Sequence, residues 1–355
     1  MKESPEYIAV YGATGYTGTR ICDELARRGL DFVAAGRNID KLQTLSSDIG
    51  AEHGIVPTLR QAHVDDERSL DALLEHVDIL INAAGPFAEV GRPVVRAALR
   101  NDVHYLDTSG EQSHLNWVKS SASDVTDRVI MPSCAFEYTA GNLAADVAGS
   151  EGHRSIGIAY HSPGMSTSPG TKRSIIRSIG EPGLTYREGR HESRAVGYRK
   201  YRLALPGGQV ARAVWIPGGE PLTVPAFADV DTVETSVVLP KIVANLLHRA
   251  SPVVPGVMRG LAPLLDRAVD LMANNDTDWD DTGNAFQVVA FEPDSGECIA
   301  AVSGKGPYTT TARIITETAQ RLLDEPPEDG GFCQVPDLFD TSGFAESVGL
   351  DVLRP

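Results

Sequence analysis

The chain has 355 residues, 42% of them hydrophobic and 23% charged, a balance that excludes a disordered or fibrous protein. At roughly 100–200 residues per domain it holds about two domains, each able to bury a core without disulfide staples. Lys and Arg number 32 against 48 Asp and Glu, a net charge of −16, the wrong sign for a general nucleic-acid or anionic-membrane binder.

Ile8-Ala9-Val10-Tyr11 is a short apolar run that ends in a glycine loop and reads as a buried strand. Thr17 to Arg28 follows with Ile21, Leu25 and Ala26 on one helical face and stops at Gly29. Phe32–Ala35 is a second strand. Asn38 caps a helix carrying Leu42, Leu45 and Ile49, which Gly50 is expected to end. A strand near Gln61–Val64, a helix near Ser69–Glu75 and a strand at Asp78–Asn82 come next. Pro93 suits the first turn of a helix from Val94 to Arg100, and Val103–Asp107 and Val129–Met131 supply two more strands. Strand and helix alternate at short spacing, the mark of a doubly wound parallel sheet.

Beyond Ile156 the pattern changes. Apolar alternation, Pro-Gly turns and aromatics recur at Ile156–His161, Tyr198–Leu205, Ala211–Ile216, Phe286–Phe291 and Ile299–Val302. Helical stretches lie near Thr171–Ile179, Leu239–Arg249 and Thr310–Leu323. This predicts a mixed α+β domain whose sheet is largely antiparallel. The expected division is 1–138 for the α/β domain and 139–329 for the α+β domain, with 330–355 a tail packing back on the first.

The four cysteines, Cys22, Cys134, Cys298 and Cys333, form no Cys-x-x-Cys pair, which argues against a disulfide framework or zinc knuckle. The first residues carry no apolar signal region. The longest greasy stretch, Ile242 to Met272, is broken by His248, Arg249, Arg259, Asp266, Arg267 and Asp270, so it should not span a bilayer, although it could line an apolar entrance or rest on a membrane surface. A reduced, cytoplasmic protein is the expectation.

Gly12-Ala13-Thr14-Gly15-Tyr16-Thr17-Gly18 joins the first strand to the first helix. Glycines at this spacing let the backbone turn sharply and approach a pyrophosphate resting on the helix N-terminus. The alternative is a structural turn. No Gly-Lys-Ser/Thr ends the run, which excludes a Walker A loop. The second strand closes on Gly36-Arg37-Asn38, with Lys41 one helical turn further on. A cofactor without a 2′-phosphate usually meets an acid here, whereas a guanidinium forks onto a phosphate and stacks on adenine. NADPH is therefore expected over NADH, against the reading of Arg37 as a solvated loop residue. Asp65 is positioned to meet the adenine amine or simply to face water. Asn82-Ala83-Ala84-Gly85-Pro86 closes the fourth strand with small residues over which a cofactor can lie, and Phe87 follows on the substrate side. Asp107-Thr108-Ser109-Gly110-Glu111 closes the fifth, where a nicotinamide is expected, with Ser109 as a contact and Glu111 as either a helix cap or a catalytic acid.

These segments, together with Gly91-Arg92-Pro93-Val94-Val95 and His104-Tyr105-Leu106-Asp107, resemble the saccharopine dehydrogenase-like oxidoreductases, a family that includes trans-acting enoyl reductases. The resemblance covers about the first 140 residues. It implies an NAD(P)-binding Rossmann domain and an α+β substrate domain with the active site between them. Where such proteins often carry Gly-Phe-Asp and then a proline after the sixth strand, this chain reads Ala135-Phe136-Glu137-Tyr138-Thr139.

No tyrosine has a lysine four positions later, and neither a Gly-x-Ser-x-Gly elbow nor a His-Glu-x-x-His helix occurs. Asp276–Asp281 mimics the opening of a calcium loop, but Asp281 replaces the required glycine and Gln287 the closing carboxylate, so no metal is expected. Hydride transfer from a nicotinamide remains, with a proton donor to be found among Glu111, Tyr138 and His161. Thr171 and Arg173, opening a basic helix, are candidates to receive a carboxylate or phosphate of the substrate, or else form a cationic solvent face. The expected partner is a small molecule or acyl chain, with no nucleic acid and no membrane insertion, in a chain that could pair as a homodimer. Three readings stay open: reduction of a C=N, C=C or C=O bond in a metabolic intermediate, enoyl reduction on a lipid or polyketide intermediate, and a dinucleotide-binding sensor or scaffold without chemistry.

Overall fold

A computed structural model of the chain describes residues 8–163, 169–253 and 283–354, together with isolated positions between 256 and 267. They form two compact units. The acidic stretch Asp276–Asp281 lies outside the described residues, as do the side chains of Thr171 and Arg173.

The first unit comprises the chain up to Ser109, His114–Ala135 and Tyr308–Cys333. Its strands are β1 (Ile8–Tyr11), β2 (Val33–Gly36), β3 (Thr58–Gln61), β4 (Ile79–Asn82), β5 (His104–Asp107), β6 (Val129–Met131) and, from far down the chain, β15 (Gly331–Phe332). They run in the order β15-β6-β5-β4-β1-β2-β3, every pair parallel. All four residues of β1, of β2 and of β4 are buried, as expected of strands covered on both faces. The intervening helices are α1 (Tyr16–Arg27), α2 (Ile39–His53), α3 (Glu67–Leu73), α4 (Phe87–Arg100) and α5 (Gln112–Ser121).

Asn38 caps α2 by accepting from the Lys41 amide at 3.0 Å, but Gly50 does not end that helix. It continues to His53 and closes on Gly54, which takes the left-handed conformation (φ 73°) that stops a helix without steric cost. Helix α4 starts seven residues before the expected position, because Pro86 ends the β4 turn and serves as its N-cap. Pro93 therefore lies inside the helix and costs it one backbone hydrogen bond.

The second unit comprises Gly110–Ser113, Phe136–Pro307 and Gln334–Pro355. Helix α6 (Phe136–Ser150) is buried along most of its length, and packs on the sheet strands β7 (Ser155–His161), β13 (Ala285–Phe291) and β14 (Cys298–Lys305). The main path of that sheet is β10 (Lys200–Ala204), β11 (Val210–Trp215), β12 (Thr232–Val238), β7, β13, β14, β16 (Asp351–Leu353). Hairpin β8 (Gly183–Arg187) and β9 (Arg190–Arg194) joins it through β12. Only β12 and β7 run parallel; the other pairs are antiparallel. The helices are α7 (Pro169–Gly180), α8 (Glu220–Phe227), α9 (Lys241–Ala250), α11 (Val335–Leu338) and α12 (Thr341–Ser347).

Two expectations about domain limits are corrected. Helix α10 (Pro307–Asp324) was expected in the second domain, but from Tyr308 onward it packs in the first unit. Tyr308 meets Tyr16 edge-on with ring centroids 4.8 Å apart, and Arg28 of α1 forms an ion pair with Glu317 and donates to Gln320 at 3.1 Å. Of the stretch 330–355, expected as a tail that packs back on the first domain, the part up to Cys333 does so, with β15 paired to β6. From Gln334 it belongs to the second unit, where Asn142 of α6 donates to Gln334 at 3.1 Å and Thr341 donates to Asp146 at 2.7 Å. Arg28→Met is expected to lower unfolding free energy by about 1–2 kcal/mol, since Glu24 and Glu317 both lose its guanidinium, which Arg27 and Arg321 replace only in part. Urea denaturation measures this, and an unchanged midpoint would remove Arg28 from the packing of α10.

Candidate functional site

The first unit brings the glycine loop to a point where the strand order reverses. From β1 the chain steps to β2 and β3 on one side and then returns to β4 on the other. At such a switch point the loops leaving neighbouring strands diverge and open a crevice at their carboxyl ends. The loop is shaped by its glycines. Gly12 has φ 82°, and a Cβ on it would lie 2.8 Å from the Ala84 amide nitrogen. A Cβ on Gly18 would lie 2.1 Å from the Gly12 carbonyl oxygen, so helix and loop approach as closely as backbone allows. The Gly12 and Ala13 amides both donate to the Ala35 carbonyl, at 2.9 and 3.1 Å. Helix α1 has no side-chain cap and no acid in its first turn, which leaves its positive end suited to an anion. Thr14, Tyr16 and Thr17 are half-buried around it, and the Arg20 guanidinium lies 3.7 Å over the Tyr16 ring.

Gly36 is buried at the end of β2, while Arg37, Asn38 and Lys41 are exposed beyond it. Among the described residues neither Arg37 nor Lys41 has a carboxylate partner. Arg37 also lowers, and Asp65 raises, the pKa of Tyr11 at the end of β1, although burial dominates and pushes that phenol up. Arg37, Asp65 and the mouth of β1 are thus near neighbours. Ala83 donates to the Tyr11 carbonyl at 2.8 Å and is half-buried together with Ala84 and Pro86, while Gly85 is exposed.

Asn82 and Ser109 differ from the rest. Asn82 is fully buried, donates to the Tyr105 hydroxyl at 3.1 Å and accepts from the Ala84 amide at 3.0 Å. Tyr105 donates onward to Asp107 at 2.8 Å, and His114 lies 2.9 Å from the same carboxylate oxygen. The other Asp107 oxygen accepts from the Ser109 and Ser133 amides at 2.9 and 2.7 Å. This Asn82–Tyr105–Asp107–His114 network binds together the ends of β4 and β5, and Ser109 is 1% exposed beside it. Sequence reading found Asn82 but not the network. Its one visible signal is Gly91, where a Cβ would come within 2.6 Å of the His114 ring. Phe87 is buried with its ring 5.5 Å from that of His114.

The second unit holds the proposed proton donors. Glu111 is 3% exposed. The Tyr138 hydroxyl donates to the Gly110 carbonyl at 2.9 Å, so Glu111 and Tyr138 are brought together. Burial first, and then the charges of Glu220, Glu137 and Glu111, hold the Tyr138 phenol well above its ordinary range. His161, the next residue along β7 after Tyr160, points to the opposite face of the sheet. There it lines a cavity of about 300 Å³ with Pro163, Phe286, Gln287, Ser303 and Lys305, and burial lowers its pKa.

Sequence reading missed the acids at the centre of this unit. Glu220 is fully buried, in contact with the Tyr160 hydroxyl, and accepts from Thr235 at 3.0 Å. Tyr160 also faces the Glu137 carbonyl. One phenolic proton cannot serve both acceptors, and both contacts are satisfied when Glu220 carries a proton of its own. Burial pushes Glu220 up to about 7, against the lowering effect of Tyr160 and Thr235. Glu137 is likewise pushed up to about 7 by burial, with Glu220 adding to the rise. Three glycines make room. A Cβ on Gly141 would lie 2.2 Å from a Glu220 oxygen, one on Gly218 2.6 Å from the other, and one on Gly219 2.6 Å from the Tyr138 ring. The arrangement can store a proton next to two tyrosines.

Residues 8–130 match a family model described as the saccharopine dehydrogenase NADP binding domain. A lipid droplet localized protein of Caenorhabditis elegans is 34% identical over 119 residues, 32% of this chain and 27% of its own. A saccharopine dehydrogenase-like oxidoreductase of Homo sapiens is 24% identical over 216 residues, covering 56% of this chain and 47% of its own. A trans-acting enoyl reductase of Mycobacterium bovis is 25% identical over 142 residues, 38% of this chain and 34% of its own. These alignments span about half or less of each relative. An alcohol dehydrogenase from Thermococcus sibiricus, solved with 5-hydroxy-NADP, superposes with a TM-score of 0.31 at 18% identity over 36% of this chain and 74% of its own.

Proposed function

We propose that this chain, whose residues 8–130 match the saccharopine dehydrogenase NADP binding domain, is an NADPH-dependent oxidoreductase that transfers hydride to a C=N, C=C or C=O bond of a metabolic intermediate. The observation that carries the reading is the β1/β4 switch point, where the close-packed Gly12–Gly18 loop leaves β1, and where Arg37 and Lys41 beyond β2 are exposed with no carboxylate partner among the described residues. The loop amides and the start of α1 would hold the pyrophosphate, and Arg37 with Lys41 the 2′-phosphate. Ala83 to Pro86 would floor the crevice. The nicotinamide supplies a hydride when bound.

The chain's own residues then have to polarise the acceptor and supply a proton. Glu111 lies four residues past the last residue of β5 and is within electrostatic reach of Tyr138. That pair is favoured over His161, which faces a different cavity. Glu137 and Glu220, which burial pushes up to about 7, are suited to replenish a proton at Tyr138 or Tyr160.

Parallel calorimetric titration with NADPH and NADH tests the reading, followed by NADPH oxidation with imine, enoyl thioester and ketone acceptors. Tight NADPH-selective binding and turnover with one acceptor class are expected. Binding without turnover of any acceptor would favour a sensor or scaffold, and binding of neither cofactor would overturn both. Arg37→Asp should erase at least about tenfold of the NADPH preference by removing a charge-assisted contact and adding repulsion. Unchanged selectivity would remove Arg37 from the site.

A further inference from the structure

Helix α9 leaves its apolar side uncovered. Ile242 is 83% exposed, Leu246 68% and Val253, just past the helix, 60%. Ile242 and Leu246, at i and i+4, fall along one stripe of α9, Val243 widens it, and Val253 adds an exposed apolar side chain three residues past the helix end. Of the ten large apolar side chains exposed among the described residues, six lie between Ile242 and Leu261. Only Ala244 of α9 is buried. Scattered exposed apolar residues mean little, whereas a contiguous stripe is the signature of a surface that meets something.

A cationic cleft of about 340 Å³ adjoins the stripe, lined by Lys200, Arg202, Arg212, Lys241 and Asn245. Arg202 on β10 and Arg212 on β11 sit directly opposite each other, a like-charge pair that an antiparallel sheet disfavours unless an anion intervenes. Among the described residues, Arg202, Arg212 and Lys241 have no acidic partner, and Lys200 donates only to Asn245 at 3.0 Å. Two acids of the neighbouring 292–297 turn, Glu292 and Asp294, are otherwise engaged. Glu292 accepts from the Asp294 and Ser295 amides, and Asp294 pairs with Arg199. In a chain of net charge −16, this concentration of unpaired cations beside an apolar helix stands apart.

We propose that α9 and the Arg202/Arg212 cleft form an interfacial docking face for an anionic phospholipid surface. Ile242, Leu246 and Val253 would enter the acyl boundary, and the cleft would hold a lipid phosphate or carboxylate. Apolar burial and attraction to anionic lipid add in such helices, and neither alone gives durable attachment. The helix is short and carries Lys241 and Arg249, so it lies on the surface without crossing it.

The full chain is floated with phosphatidylcholine vesicles and with vesicles of three parts phosphatidylcholine to one part phosphatidylserine. Flotation with the second and not the first is expected, falling as salt is raised because the charges are exposed. Arg202→Glu combined with Arg212→Glu should weaken vesicle affinity about 30-fold or more, at roughly 1 kcal/mol or more for each basic residue. Leu246→Asp should do the same without lowering the thermal midpoint, since its side chain is largely exposed. Absence of flotation with either vesicle overturns the proposal, as does flotation indifferent to these variants. A dimer that Leu246→Asp dissociates, with no vesicle binding, would assign the face to a second copy and overturn it too. None of these readouts depends on enzymatic turnover.

Discussion

Gly18→Ala is expected to weaken NADPH binding by about 100-fold or more and to lower the stability of the first domain by about 1–3 kcal/mol. The added Cβ would lie 2.1 Å from the Gly12 carbonyl oxygen, 2.9 Å from its carbonyl carbon and 3.0 Å from the Ala13 Cα. All three are backbone atoms, so no side chain can swing away, and the loop itself has to shift off the end of α1. That shift separates the loop amides from the helix N-terminus on which a pyrophosphate would rest. Gly36→Ala provides the contrast, because a Cβ there meets nothing within 4 Å, and its apo form should melt like the parent. Calorimetry reads the affinity and circular dichroism the melting. NADPH bound by Gly18→Ala as tightly as by the parent would remove the loop from the cofactor site.

Glu220→Gln is expected to stabilise the protein at pH 8 by an amount on the order of 2–3 kcal/mol relative to its effect near pH 4.5. Burial raises the folded-state pKa of Glu220 from 4.5 to about 7. Between those two values the unfolded chain has released the proton while the folded protein retains it, so the parent loses stability as pH rises through the window. Above about 7 both states are ionised and the loss is complete. Glutamine does not titrate and keeps the shape of the protonated acid, so its curve lacks this descent. Denaturant midpoints measured from pH 4.5 to 8 should therefore separate progressively and then run parallel. Curves parallel throughout would mean that Glu220 is ionised in the folded protein across the whole range. Tyr160 would then have to donate to its carboxylate and leave the Glu137 carbonyl without that proton.

Most of the first domain was legible in the sequence because its signals are local. The Gly12–Gly18 spacing, the Asn38 cap and the short apolar runs of β1, β2 and β4 each reflect a constraint acting within one turn or one strand. Boundaries moved where a local signal had a competitor. Gly50 can stop a helix, but a residue with negative φ continues it, and the left-handed Gly54 ended α2 instead. Helix α6 escaped notice for a different reason. It is buried nearly all round, so it has no polar face and no amphipathic period to detect.

The parallel α/β domain, its glycine loop and the basic pair beyond β2 follow from local sequence, because backbone sterics and hydrophobic periodicity act over a few residues. Tertiary structure alone decided what depends on residues distant in the chain. Arg28 meets Glu317 across 289 positions and draws α10 into the first unit. Glu220 meets Tyr160 across 60 positions, in a space kept open by Gly141, Gly218 and Gly219. Burial and proximity set the protonation of an acid, and neither can be read from its neighbours in sequence. The same holds for Arg202 and Arg212, which are ordinary surface cations until the hairpin register sets them face to face.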